Sequence, residues 1–254
     1  LGVVSIMNYK KTAYAIIKDK INKDNIDEAL KGANSMARSQ AAVSVTGYFT
    51  SDAANATTAR IGSSTQITLT GNAVILASEK TNLKAVVGAA SGGLAAAGGS
   101  VAIAILNGTS QAEILGIITA DGTVTITAEN SITGTEFSAK AGSAGVVGLG
   151  AAIAYMDVTG TTQILIRNTA DISGKGGVAG KASLVVNVNP TADGFAGGWA
   201  AAGLAAARLK VAGKTLIQAD GGSRLASANG DVALTAYQTL TTNASSMPDC
   251  PCAN

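Results

Sequence analysis

Histidine, the side chain most often used as a general base, is absent from all 254 residues. Ser-His-Asp and Cys-His arrangements are therefore excluded, and the commonest transition-metal ligand is missing. Chemistry would fall to carboxylates, lysines or a bare nucleophile. Asp171, Asp193, Asp220 and Asp231 are scattered at expected turns, where aspartates bond their own backbone. No D-D doublet or repeated D-x-D stands out. A sugar-cleaving site needs paired carboxylates on one face. Acids distant in sequence can converge in a coiled chain, so a carbohydrate-active β-helix stands as the second reading. The run Gly176-Gly177-Val178-Ala179-Gly180-Lys181-Ala182 fails the phosphate-loop pattern twice, with Lys175 at its first glycine and Ala182 at its Ser/Thr. It reads as a glycine-rich turn. Cys250 and Cys252 flank Pro251, too close for an ordinary intrachain disulfide. They read as part of a solvated tail, with a link to another chain or a metal site as the alternative. No catalytic, cofactor-binding or metal-ligating residue is assigned, and no cofactor is expected.

The composition points to what could position such residues. Charged residues make up 13% and apolar ones 47%, whereas disordered chains are charge-rich and apolar-poor. Glycine alone supplies 31 residues, which suits β layers in close approach. A net charge of +2 and 4% aromatics leave no footprint for nucleic acid.

Repeats then set the expected fold. Thr162-Gln163-Ile164-Leu165-Ile166 echoes Ser110-Gln111-Ala112-Glu113-Ile114 and Thr65-Gln66-Ile67-Thr68-Leu69, with looser copies starting at Thr12 and Thr215. The leading positions 12, 65, 110, 162 and 215 lie 53, 45, 52 and 53 residues apart. Ahead of them, the segment opening at Val101 matches the one opening at Ala151, and residues 3–8 are a third version. Gly/Ala stretches cover 92–100, 142–150 and 195–203, and alternating strands 73–77, 123–128, 183–188 and 231–236. Period-two alternation of β-branched residues is the strand signature. A period near 50 residues is expected to wind as two or three coils of a parallel stack, with small residues filling a narrow interior.

Two segments break the pattern. Residues 19–40 concentrate charge, and Ile21, Ile26, Ala29, Leu30 and Ala33 recur at helical spacing, which predicts a short amphipathic helical insertion. Residues 247–254 contain Pro248 and Pro251 and read as an irregular tail after a solenoid spanning 1–246. Residues 85–106 carry no charge. Their glycines and clean alternation favour strands over a spanning helix, so no membrane span is expected.

The series 92–107, Gly-Gly-Leu-Ala-Ala-Ala-Gly-Gly-Ser-Val-Ala-Ile-Ala-Ile-Leu-Asn, followed by the copy at Ser110, resembles repeats of the leukotoxin-type, filamentous-haemagglutinin-like adhesins. Residues 145–166 and 197–217 keep the same cadence, and the likeness spans about 71–236, with a weaker part in 1–16. The motif is low in complexity and marks a style of repeat. The resemblance implies a right-handed parallel β-helix, export to the bacterial surface, and roles in adhesion or surface architecture. It supplies no catalytic residues. The charged insertion and the Cys-Pro-Cys tail depart from it. The expected architecture is thus an all-β right-handed parallel β-solenoid with one short helical insertion. Its expected function is structural or adhesive and not enzymatic. The chain opens on Leu1, mid-repeat and with no signal-peptide pattern, and reads as a piece of something longer. Expected partners are further copies stacked head to tail through solenoid ends, and a host or neighbouring cell surface.

Overall fold

The computed structural model describes residues 2–8 and 56–249. The described residues form a right-handed parallel β-solenoid of four stacked coils. The first coil holds β1 (Gly2–Asn8), β2 (Ala56–Ile61), β3 (Gln66–Leu69) and β4 (Ala73–Gly92). The second is β5 (Ala95–Ile114), β6 (Ile117–Ala120) and β7 (Thr123–Ala144), and the third β8 (Val147–Ile166), β9 (Asp171–Gly174) and β10 (Gly177–Gly197). The fourth is β11 (Ala200–Ala219), β12 (Arg224–Ser227), β13 (Val232–Thr242) and β14 (Ser245–Asp249). Three parallel sheets result: β1, β2, β5, β8 and β11 form one long wall, β4, β7, β10, β13 and β14 the other, and β3, β6, β9 and β12 a narrow third.

Each repeat winds as one coil, not the two or three expected. The two long strands of a coil, such as β8 and β10, run 20 and 21 residues, roughly 65 Å at about 3.3 Å per residue. Glycines stand inside these strands. They are close-approach positions within unbroken strands. A Cβ on Gly98 would lie 2.5 Å from the Gly142 carbonyl oxygen of the opposite wall, and one on Gly148 2.8 Å from that of Gly197.

Strand pairing revises the repeat register. Ser110 stands beside Thr162, and Thr162 beside Thr215, as expected. In the first coil, however, Thr57 is the partner of Ser110, and Thr65 only precedes β3. The irregular spacing of 45 residues came from that misplacement. Val101 pairs Ile153, two residues on from the expected Ala151; a slip of two keeps every side chain on its face. Residues 3–8 pair β5, but with Val4 and not Val3 beside Val101. Ser183 pairs Glu129, so the copy of 123–128 in the third coil is 177–182 rather than 183–188. The Thr12 copy and the helical insertion lie outside the described residues. The ladder also continues through Met247 and Pro248 to Asp249, which pairs Phe195, so part of the expected tail is strand. An edge strand such as β14, paired among the described strands only with β10, is where a proline, which has no N–H to donate, is tolerated.

The interior runs along the coil in two apolar clusters. One fills the broad end, where three sheets meet, with Ile114, Ile118, Ile126, Ile164, Ile166 and Ile172. The other lies between the long walls, with Leu106, Phe137, Met156, Leu184 and several alanines. In β7 the inward positions are even-numbered up to Ile132 and odd-numbered from Phe137. Register shifts against both neighbours, at Asn82/Lys84 and Val188/Pro190, mark one extra residue there. This β-bulge resets which face is buried.

Candidate self-association surfaces

The solenoid surface repeats along its axis, and its charges are organised by that repeat. Arg60 and Arg167 both contact Glu113, at 3.0 and 2.9 Å, and Arg167 reaches Asp220 at 3.6 Å. A chain of ion pairs thus alternates in sign through four coils, stepping two residues along the strands between Glu113, which is in register with Leu165, and Arg167. Hydrogen bonding to Glu113 is the main cause holding the Arg167 guanidinium more firmly protonated than usual. Other neighbouring coils are joined by Lys84 and Glu136 at 2.8 Å, Lys175 and Asp121 at 2.6 Å, Lys210 and Asp157 at 3.2 Å, and Arg224 and Asp171 at 3.1 Å. The amide of Gln163 donates to Gln111 Oε1 at 2.5 Å in the same fashion.

The acids singled out in the sequence find these partners instead of a shared cleft. Asp171 pairs Arg224, Asp220 pairs Arg167, and Asp193, which lies inside β10 rather than at a turn, is 4.0 Å from Lys140. The Asp231 carbonyl accepts the Val178 N–H at 2.9 Å. Three of the four thus have a base in a neighbouring coil, and Asp220 also sits at a turn, its carbonyl accepting the Ser223 N–H at 3.0 Å. Lys181, at the end of the decoy phosphate loop, sits in β10 with its Nζ 5.4 Å from the Tyr237 ring centroid. A hydrogen bond from Lys181, then one involving Ser183, lowers the Tyr237 pKa. Among the described residues no group of His, Cys, Asp or Glu could hold a metal ion, and no helix is long and apolar enough to cross a membrane. Cys250 and Cys252 lie outside the described residues.

Sequence reasoning missed a polar seam inside the solenoid, between the two apolar clusters. Glu79 pairs Asn130 in adjacent coils, and Leu184 and Gln238 continue their column. Opposite runs a glycine column, Gly108, Gly160 and Gly213. A Cβ on Gly108 would lie 2.8 Å from Glu79 Oε1, and one on Gly160 2.7 Å from Leu184 Cδ1. The glycines therefore make room for long side chains across the gap. Both amide atoms of Asn130, Glu79 Oε2 and Thr162 Oγ1 are buried without hydrogen-bond partners. Burial is the larger cause raising the Glu79 pKa, offset by a backbone hydrogen bond from Thr109. A glycine recurring opposite a long polar residue, one coil apart, was the available signal.

Two apolar features face outward. At the turns between the long walls, Leu94, Val146 and Trp199 stack in successive coils, and Trp199 is 93% exposed. Gly93 and Gly198, at φ 145° and 147°, take the left-handed turn conformation that presents the first and last of these. On β13, Val232, Leu234 and Leu240 lie in the inward columns of Val178, Gly180 and Val186, yet are close to half-exposed at the open edge of the fourth coil.

Compared with protein families, curated proteins and solved structures, the chain finds no match. The resemblance to filamentous adhesins accordingly rests on repeat cadence alone, with no comparison to support it. The geometry is that of a parallel β-solenoid and is consistent with a structural, self-associating module.

Proposed function

We propose that the chain is a shaft segment of a filamentous protein, exported to a bacterial surface, with a structural or adhesive role and no chemistry of its own. The observation that carries this reading is axial complementarity. Carboxylates that could have gathered into a cleft are instead paired with bases of neighbouring coils, so the polar chemistry serves stacking. The ion-pair chain Arg60, Glu113, Arg167, Asp220 would continue its alternation if the Arg60 of a further copy followed Asp220. The half-exposed Val232, Leu234 and Leu240 would then be covered by that copy's first coil. Unpaired strand edges favour such pairing, and a head-to-tail contact propagates instead of closing. A carbohydrate-cleaving role would need converging, unpaired carboxylates, and the pairing of Glu113, Asp121, Glu136, Asp157, Asp171, Asp193 and Asp220 with bases supports the structural reading instead.

Electron microscopy and fibre diffraction of the purified chain test the reading, with immunolabelling of source cells for location. Unbranched filaments with an axial repeat near ~4.8 Å, shortened by Leu234→Lys, are the expected result. Short rods that stay monomeric at every concentration would overturn head-to-tail stacking. Labelling confined to the cell interior would overturn the surface role.

A further inference from the structure

The turns of the solenoid fall into two kinds. At the corners flanking the narrow sheet they carry residues that turns usually hold, Ser63, Asn168 and Asp220 at one and Asn72, Asp121 and Lys175 at the other. At the narrow edge, where one long wall passes into the other, each of the three described turns instead presents an apolar residue: Leu94, Val146 and Trp199. These side chains are 82%, 52% and 93% exposed, and the nearby Val147 and Phe195 are 52% and 41% exposed. The strands running to and from this edge carry no charge either. Residues 85–112, 141–156 and 194–207 contain no Asp, Glu, Lys or Arg.

The backbone of the edge is paired from coil to coil. The Gly93 N–H donates to the Ala144 carbonyl at 3.2 Å and the Gly145 N–H to that of Gly197 at 3.0 Å. The Leu94 and Val146 carbonyls accept the Val147 and Ala200 N–H groups at 3.0 Å each. Unpaired backbone, which bars most turns from an apolar medium, is thus no obstacle at these groups. Coils lie about 4.8 Å apart, so the three side chains stand in single file on a convex edge. Such a strip is on the order of 500 Å², the scale of a functional patch. A specific protein interface takes roughly 800 Å² from each partner, and a ridge one residue wide offers a second copy no pocket. We infer that the edge binds a lipid surface, with Leu94 and Val146 entering the acyl boundary and Trp199 seated at the headgroup level. Because the edge is uncharged, neutral phospholipid suffices and salt has little effect. One chain holds the whole ridge, so the binding is independent of head-to-tail stacking.

Trp199 is the one tryptophan of the chain, so its fluorescence reads the edge directly. With vesicles of neutral phosphatidylcholine its emission should shift to the blue, become shielded from aqueous acrylamide, and be quenched by brominated acyl chains. Val146→Asp places a charge in the middle of the ridge. It should abolish the shift and weaken co-flotation with vesicles roughly tenfold or more, the scale of one apolar side chain kept in water. Leu234→Lys, at the open edge of the fourth coil, should leave lipid binding intact, which separates it from filament growth. Circular dichroism checks that each variant folds, and Leu94→Asp, at an 82% exposed position, replaces Val146→Asp should that chain not fold. Emission and acrylamide quenching unchanged by vesicles would overturn the inference, as would a shift that brominated chains do not quench. So would a shift that needs anionic lipid and vanishes in high salt, the mark of attachment by charge. A shift that appears without vesicles as protein concentration rises would assign the edge to a second copy and refute the lipid reading.

Discussion

The two ends of each flattened coil solve the same packing problem in opposite ways. At the broad end three sheets enclose large side chains, with Ile114, Ile126, Ile164 and Ile172 fully buried. Toward the other end the two long walls converge until backbone faces backbone, and the interior filler shrinks through alanine to glycine at Gly98, Gly148, Gly150 and Gly194. Both ends keep the same strand period and the same ladder to the next coil. Only the distance between the walls differs, and it dictates residue size. Stability at the broad end comes from apolar area removed from water. At the narrow end it depends on leaving out any side chain at all.

Substitutions at each end should separate these regimes. The largest effect is expected for Gly150→Ala, whose Cβ would overlap the Phe195 carbonyl oxygen and lie 3.4 Å from that of Ala141. Backbone cannot yield as a side-chain tip can, so a loss of about 3 kcal/mol or more is expected, read as a lower urea midpoint. Ile164→Ala at the broad end should cost about 2–5 kcal/mol as a cavity, with part recovered by a small apolar ligand that fills it. Between the ends, Glu79→Gln should raise stability at neutral pH, because the carboxyl is harder to ionise in the folded chain than in the unfolded one. A raised folded pKa means the folded state binds more protons across the window between the unfolded and folded values. Stability of the parent therefore falls as pH rises through that window. Thermal melts of parent and variant should converge below the usual glutamate range, and a pH-independent difference would contradict this account. The smallest effect belongs to the surface: Glu113→Gln should cost about 1 kcal/mol or less, and the loss should shrink in high salt.

Much of the coil was legible in the sequence because period two and the approximate repeat survive in any register. Ser110, Thr162 and Thr215 were aligned correctly from their neighbours alone. The narrow end was harder. Its Gly/Ala runs look alike when slid by two residues, so Val101 was set against Ala151 when the ladder sets it against Ile153. The split of the first coil's strand into β1 and β2 displaced the first-coil copy from Thr57 to Thr65. The extra residue of β7 near Gly134 reversed the inward phase of everything after it, and no local signal announces a bulge amid Ser, Thr and Gly. The ion-pair columns were hidden because a base and its acid lie about one coil apart in sequence, as Lys210 and Asp157 do.

By itself the sequence determined that the chain would be parallel β-solenoid. Alternating β-branched residues, small inward side chains and a repeat near 50 residues admit few other ways to bury 47% apolar composition at 13% charge. Only the tertiary structure decided that each repeat is one coil. Whether a glycine ends a strand or lets another backbone approach depends on what stands opposite, and the opposite wall is some 40–50 residues away in the chain, as Gly98 and Gly142 show.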